Sequence, residues 1–354
     1  MPARVRTLAV GLLLVAIALA AEFLLPRLVA DSSIRQLVMM AAINILIALS
    51  LNVINGLAGQ FSIGHAGFVG VGAYTAAVVM ANVHAKLGGD VTFARSFLLV
   101  PLSVGAGALV AALFGLLVGL PSLRLRGDYL AIVTLGFAEI FRLLIATAAA
   151  GDVGGVSGLL ARLGGQNGYA GPHDAGVPQY AGPFWVLGAV FLMVIATWRI
   201  KFSAWGRALR ALREDEIAAA AVGVDPTGYK VTSFVLAAGG AGVAGALMAT
   251  MRDGSPIVQP DSFNFQASFD AITMVILGGS GSISGAVLGA LFVTFTIKLI
   301  ELLQSTDAVQ AFKLAHDWLD LNALRMVVYA ATLIAVMILR PAGVFGEREL
   351  GRRR

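Results

Sequence analysis

The residues of this chain that could do chemistry stand as polar islands in apolar sequence. Between Ser50 and Ala77, Asn52, Asn55, Gln60, Ser62, His65 and Tyr74 are interleaved with glycines that include Gly56, Gly59 and Gly67. A second island joins Gly278, Gly279, Ser280, Gly281 and Ser282 at the start of a Gly-Ser segment running to Gly289. Amides, hydroxyls and an imidazole are hydrogen-bonding groups, suited to holding or passing a polar solute. Glu139 and Arg142, spaced i, i+3, can pair on one helix face, and Asp270 is a further ionisable group in an apolar run. Ionisable groups inside a membrane are functional candidates by default.

Other chemistries are excluded. The chain has no cysteine, which removes disulfides, thiolate catalysis and iron–sulfur ligation, and its histidines, 65, 84, 173 and 316, are too far apart for a local zinc motif. A G-x-x-x-x-G-K-[ST] phosphate loop is absent, so ATP hydrolysis by that route is excluded. No catalytic, cofactor or metal site is therefore expected.

The elements that position these residues are membrane helices. Of 354 residues 58% are hydrophobic and 13% charged, with mean hydropathy +0.86, against about 25% charged in soluble domains. The expected fold is all-α and polytopic, with about ten spans: Thr7–Leu25, Leu37–Val53, a third ending near Val83, Phe97–Leu120, Tyr129–Ala149, Pro183–Trp198, Val231–Met251, a short Ala267–Leu277, a run to Leu303, and Ala323–Leu339. The first has a small-x-small site at Ala18–Ala20 like that of a signal peptide, but its length and the span that follows at once favour a transmembrane helix. A continuous lipid-facing helix would not carry the composition of 50–77, so broken helices are expected there and at 278–289. Packing of small residues is the alternative use of such glycines.

Charge sets the expected orientation. Arg4 and Arg6, the Arg124–Arg126 turn with Asp128 as a helix cap, the loop 199–230 with Arg199, Lys201, Arg207, Arg210, Arg213 and Lys230, and the GRRR tail all fall on the cytoplasmic side of one threading, with both termini inside. The loops 151–182 and 252–266 then lie outside, as does an amphipathic 304–322 stretch anchored by Trp318. Residues 1–346 read as one transmembrane domain and 347–354 as a basic tail.

The 199–230 loop is the informative polar piece. From Trp205 to Val222 the apolar Trp205, Leu209, Leu212 and Ala220 fall roughly on one helical face, with Arg207, Arg210, Arg213, Glu214, Asp215 and Glu216 on the rest. Gly223 can end that helix in a left-handed conformation, and Asp225-Pro226 supplies the cap and first position of the next. Such a protrusion suits docking into a groove on a soluble partner. At this level two active readings stay open, with a passive pore or scaffold as a third. Energy could come from a partner subunit, or from an ion bound at Glu139 or Asp270.

RALRALREDEIAAAAVGV resembles the coupling loop of ABC importer permeases, whose pattern is Glu-Ala-Ala, three residues, Gly. Ala218, Ala219 and Gly223 match, Ile217 stands where the Glu would be, and Glu216 is one place early. LNVINGLAGQFSIGHAGFVGVGAYTAA, LRLRGDYLAIVTLGFAEIFRLL, LGGSGSISGAVLGALF and RPAGVFG resemble branched-chain amino-acid ABC permeases of the LivM/LivH type, closer to LivM, from about Asn44 to Gly346. The resemblance implies a multi-pass subunit of the bacterial inner membrane. Its expected partners are a second, LivH-type permease, two cytoplasmic ATPases that hold ATP and Mg, and an external binding protein, with lipid around it and no nucleic acid. It implies that the helix carrying Arg207, Arg210, Arg213, Glu214, Glu216, Ala218, Ala219 and Gly223 engages an ATPase. The two Gly-rich islands would then line a gated pathway.

Overall fold

A chain crossing hydrocarbon must satisfy its own backbone polar groups, so its spans are helical. The computed structural model describes residues 3–122, 129–147, 163–172 and 175–304, and single positions from 327 to 349, and its regular elements are helices. They are α1 (Ala3–Leu28), α2 (Ser32–Asn52), α3 (His65–Leu87), α4 (Phe93–Ser122), α5 (Tyr129–Thr147), α6 (Pro183–Phe202), α7 (Ala204–Glu214), α8 (Glu216–Ala221), α9 (Pro226–Thr250), α10 (Phe265–Gly278) and α11 (Ile283–Gln304). Among the described residues eight helices are long and apolar enough to cross a membrane; α10, at 14 residues, is not counted with them. The chain is an all-α, multi-pass membrane protein.

Several boundaries differ from expectation. Pro26 lies inside α1, and α4 runs from Phe93 through Pro101 and Pro121. Proline removes one helix hydrogen bond, and within a packed membrane bundle neighbours compensate that loss. The 199–230 loop holds two helices rather than one. Asp215 adopts an extended backbone, and its carboxylate accepts from Ile217 and Ala218 N–H at 2.9 and 3.0 Å, starting α8 afresh. That turn buries Ala219 and exposes Ala220, which was expected on the apolar face. Asp225 caps α9 through Thr227 and Gly228 N–H, with Pro226 first in the helix, and Gly223 has φ +90°.

The centre of the bundle is α2, α3 and α9. Glycine decides how closely α3, α4 and α9 approach: a Cβ on Gly72 would collide with Gly242, one on Gly107 would meet the Gly72 carbonyl, and one on Gly245 would strike Val69 O. Dispersion between backbones in contact is what such small-residue faces gain in lipid. Gly67 likewise faces Ala138 of α5. These glycines of the 50–77 segment serve helix packing, while the break lies before them.

The described parts of the two long loops pair with each other. Tyr169 and Val258 exchange backbone hydrogen bonds at 2.9 and 3.0 Å, and Ala181 pairs beside Met251. Tyr180, expected on an exposed loop, is buried and meets His84 Nδ1 through its hydroxyl at 2.9 Å. Tyr74 donates to Val258 O at 2.9 Å. Arg35 grips Asp253 through two bonds of 3.0 Å, and Arg252 grips the buried Glu22 at 2.7 Å. The Arg124–Arg126 turn, Asp128, His173, the 305–322 stretch with Trp318, and the tail apart from Glu349 lie outside the described residues.

Candidate functional site

The first break lies between α2 and α3. Helix α2 widens into a π-turn over Val53–Leu57, and residues 58–64 then run without regular structure to His65. π-turns of this kind gather at functional sites. Asn55 closes the loop by acting as a strand-like partner, its Oδ1 accepting from Ser62 N at 3.2 Å and its Nδ2 donating to Ser62 O at 3.5 Å. Gly59, at φ +68°, supplies a left-handed turn that other residues rarely adopt. The free N–H groups leading into α3 find side chains from other helices: Ile63 donates to Thr134 Oγ1 and Ala66 to Ser268 Oγ, each at 3.2 Å.

The second break lies between α10 and α11 and presses against the first. Gly279 (φ +113°) and Gly281 (φ +89°) reverse the chain, and Ser282 Oγ accepts from Gly285 N–H at 3.0 Å. Gly278 lets α10 meet the Gly285 backbone, and Ser280 is half-buried. Asn52 bridges the two breaks, its Oδ1 accepting from Gly281 N at 2.8 Å and its Nδ2 donating to Ser282 O at 3.1 Å. Both halves of the Asn52 amide are thus used on backbone. A Cβ at Gly56 would collide with Asn52 Oδ1 and Gly281 N, so no other residue fits this crossing unchanged.

Helix α7 and the end of α6 sit against this junction. Leu209 of α7 is buried against Leu57 and Ala58 of the first break, with Trp205, Ile200 and Tyr229 around them. Arg213 donates to Gly56 O at 2.7 Å. Lys201, in the last turn of α6, donates to Gly281 O at 2.7 Å and to Glu349 at 2.5 Å, both side chains being buried. Glu349 also accepts from Ile283 N, Ser284 N and Ser284 Oγ at 2.8, 3.0 and 2.7 Å, and so caps α11. Burial pushes its carboxyl up, but those donors outweigh burial and hold it below the usual carboxylate range.

The remaining candidates scatter around this junction. Arg207 is exposed and donates to Phe202 O, Arg210 bonds Gly206 O and Lys201 O, and Glu214 and Ala218 face outward. Glu216 pairs with Lys230 at 2.6 Å. Glu139 and Arg142 do pair, at 2.9 Å, and Arg142 also reaches Asp261 of the 252–266 loop at 3.0 Å, which ties the pair to the far end of the bundle. Asp270 accepts from Gln266 at 3.0 Å.

Gln60, Ser62 and His65 are the unusual members. All three are buried, yet the Gln60 amide, Ser62 Oγ and His65 Nδ1 have no hydrogen-bond partner among the described residues; His65 Nε2 meets Ser50 Oγ at 2.8 Å. Orphaned buried polar groups are costly, about 1–3 kcal/mol each. Sequence reasoning passed over Lys201 and Glu349. A lysine ending an apolar span and one of two glutamates in the basic tail were the available signals.

Comparison with known proteins accords with this architecture. Residues 33–337 match the family described as branched-chain amino acid transport system, permease component. The high-affinity branched-chain amino acid transport system permease protein LivM of Salmonella typhimurium is 34% identical over 340 residues, 90% of this chain and 71% of the relative; LivM of Escherichia coli is 35% identical over 323 residues, 85% and 67%. The permease protein LivH of Salmonella typhimurium is 30% identical over 178 residues, half of each chain. No solved structure matches. On this match, over most of its length, the chain belongs to the family of permease components of branched-chain amino acid transport systems.

Proposed function

We propose that this chain is one of two membrane subunits of an ATP-driven importer for branched-chain or similar aliphatic amino acids in the bacterial inner membrane. A related LivH-type permease supplies the second subunit, two cytoplasmic ATPases hold ATP and Mg, and an external protein delivers solute to the folded loops around Tyr169 and Val258. The observation that carries this reading is the junction. The segment that resembles an importer coupling loop touches the first break, Arg213 at Gly56 O, and the end of the span that leads into it touches the second, Lys201 at Gly281 O. Movement of α7 is therefore delivered to the two places where the membrane helices are already interrupted. Discontinuous helices at membrane depth are where transporters shift their substrate path.

In this reading Gln60, Ser62 and His65 lack partners because they belong to the closed half of the pathway and gain them when it opens. Ile217 is 84% exposed and Val222 81%, apolar side chains on the segment that turns toward the ATPase. An ion-coupled mechanism is not favoured, given the family and the engagement of Glu139 by Arg142. Reconstitution with both permeases, the ATPases and the binding protein tests the proposal. Uptake requires ATP and the binding protein and survives an ionophore; uptake abolished by the ionophore and indifferent to ATP overturns it.

A further inference from the structure

The half of the bundle remote from the coupling segment contains three cavities in a row along one face of α2. One of about 250 Å³ is lined by Met40, Asn44 and Ile47 of α2 together with Ala66, Met248 and Asp270; a second of about 240 Å³ shares Met40 and Asn44; a third of about 140 Å³ shares Met40 and Met248. Gln36, Met40, Asn44 and Ile47 follow a 4, 4, 3 spacing, one stripe of a single helix. The first cavity ends on Ala66, and the next residue is His65, the first of the orphaned polar groups.

Asn44 is the polar group at the meeting of two of these cavities. Its Nδ2 donates to Thr294 Oγ1 at 2.9 Å, and Thr294 Oγ1 donates in turn to Ala290 O at 2.7 Å, which fixes the amide orientation and commits its donor side to protein. Among the described residues no hydrogen-bond donor reaches the carbonyl oxygen Oδ1. Asp270, whose carboxyl accepts from Gln266, stands in the same wall. The remaining wall is methionine and isoleucine, adaptable apolar surface. A wall of oriented acceptors beside apolar surface selects a small aliphatic molecule with N–H donors at its head. At about 30 Å³ per water-sized group, the larger cavity matches a solute of eight or nine heavy atoms.

We infer that this row of cavities is a solute chamber, with Asn44 Oδ1 as the acceptor that receives the solute's N–H. The inference rests on the importer reading and adds to it a subsite for the solute within this chain. It places the chamber above a closed gate formed by the His65–Ser50 pair and the first break. The breaks themselves hold no solute in this arrangement.

The absence of cysteine gives a direct test. Met40→Cys, at a position that lines all three cavities and leaves Asn44 in place, is introduced into the otherwise unchanged chain within the assembled transporter. It is treated with a membrane-impermeant thiol reagent from the side opposite the ATPases, and the label is read on this chain by mass. Leu109→Cys, on an exposed apolar face of α4, is the control and stays unlabelled. The expected result is labelling at 40 that leucine slows about tenfold when supplied at about ten times its Kd. 4-Methylpentanoate, which keeps leucine's carbon skeleton but has no N–H, leaves the rate unchanged. No labelling at 40 overturns the chamber, and labelling that neither solute slows overturns its role. Equal slowing by both solutes removes Asn44 as the N–H acceptor. Failure of the unmodified transporter to take up leucine with ATP strikes instead at the importer reading, whatever the labelling shows.

Discussion

Arg213 of the coupling segment donates to the carbonyl of Gly56, 157 positions earlier, at 2.7 Å. This one bond joins the surface helix to the first break, and through Gly56 to Asn52 and Gly281 of the second. Removal of the guanidinium leaves a carbonyl without its charged donor, at about 1–3 kcal/mol. Arg213→Ala is expected to retain copurifying ATPase and ATP hydrolysis while the ratio of solute moved to ATP hydrolysed falls several-fold. Arg213→Lys, which keeps one donor, recovers part of that ratio. Paired uptake and phosphate-release measurements check it; an unchanged ratio in Arg213→Ala refutes the link.

Gly56→Ala is expected to be among the most damaging small substitutions in the chain, because its Cβ meets Asn52 Oδ1 and the backbone of Gly281. Forced displacement of a packed backbone costs about 1–3 kcal/mol or more. Gly105→Ala, with nothing within 4 Å of the new Cβ, leaves stability unchanged or raises it by up to about 1 kcal/mol. Thermal unfolding in detergent distinguishes the two.

Lys201 and Glu349 are 4% and 3% exposed. Loss of one partner from a buried pair costs about 3–5 kcal/mol, whereas replacement of both by apolar groups is far milder. Lys201→Met alone should therefore destabilise the protein more than Lys201→Met combined with Glu349→Leu. The carboxyl of Glu349 is held below its ordinary range when folded. Its contribution is therefore full above that range and is lost as pH falls through the folded value. In the Glu349→Gln variant this acid-side loss should flatten, as read from melting temperature against pH. A variant that retains the full acid-side slope counts against the assignment.

Asp253 behaves in the same sense at the other end of the bundle. Its two bonds from Arg35, against a smaller opposing effect of burial, hold its carboxyl below the usual range. Stability from this pair is present above the ordinary aspartate range and declines as pH falls through the lower folded value. Asp253→Asn removes that decline and loosens the loop beside it, seen as faster proteolysis between 252 and 263 at neutral pH.

Ile217→Asp tests the docking face. The position is 84% exposed, so the stability of the isolated permease should change by no more than about 0.5 kcal/mol. Copurification of the ATPase subunits should nevertheless fall by tenfold or more. Full retention of the ATPase would remove Ile217 from the interface.

The sequence by itself determined the class of protein, the approximate spans and the location of both breaks. Each of these rests on local composition: apolar length, charge between spans, and glycines that cannot sustain a lipid-facing helix. It also marked Asp225 and Gly223 correctly, because caps act over three or four residues. The division of the coupling loop at Asp215 was missed, since a capping aspartate there outcompeted the apolar periodicity that suggested one helix. Only the tertiary structure decided what the polar residues touch. Asn52 turns both ends of its amide to a backbone 229 and 230 positions away, and Lys201 meets Glu349 across 148. Asn44, unremarked in a run of alanine, isoleucine and leucine, becomes a cavity wall because Thr294 fixes its amide. Partners of that kind are chosen by packing between distant helices, and no spacing within a single segment encodes them.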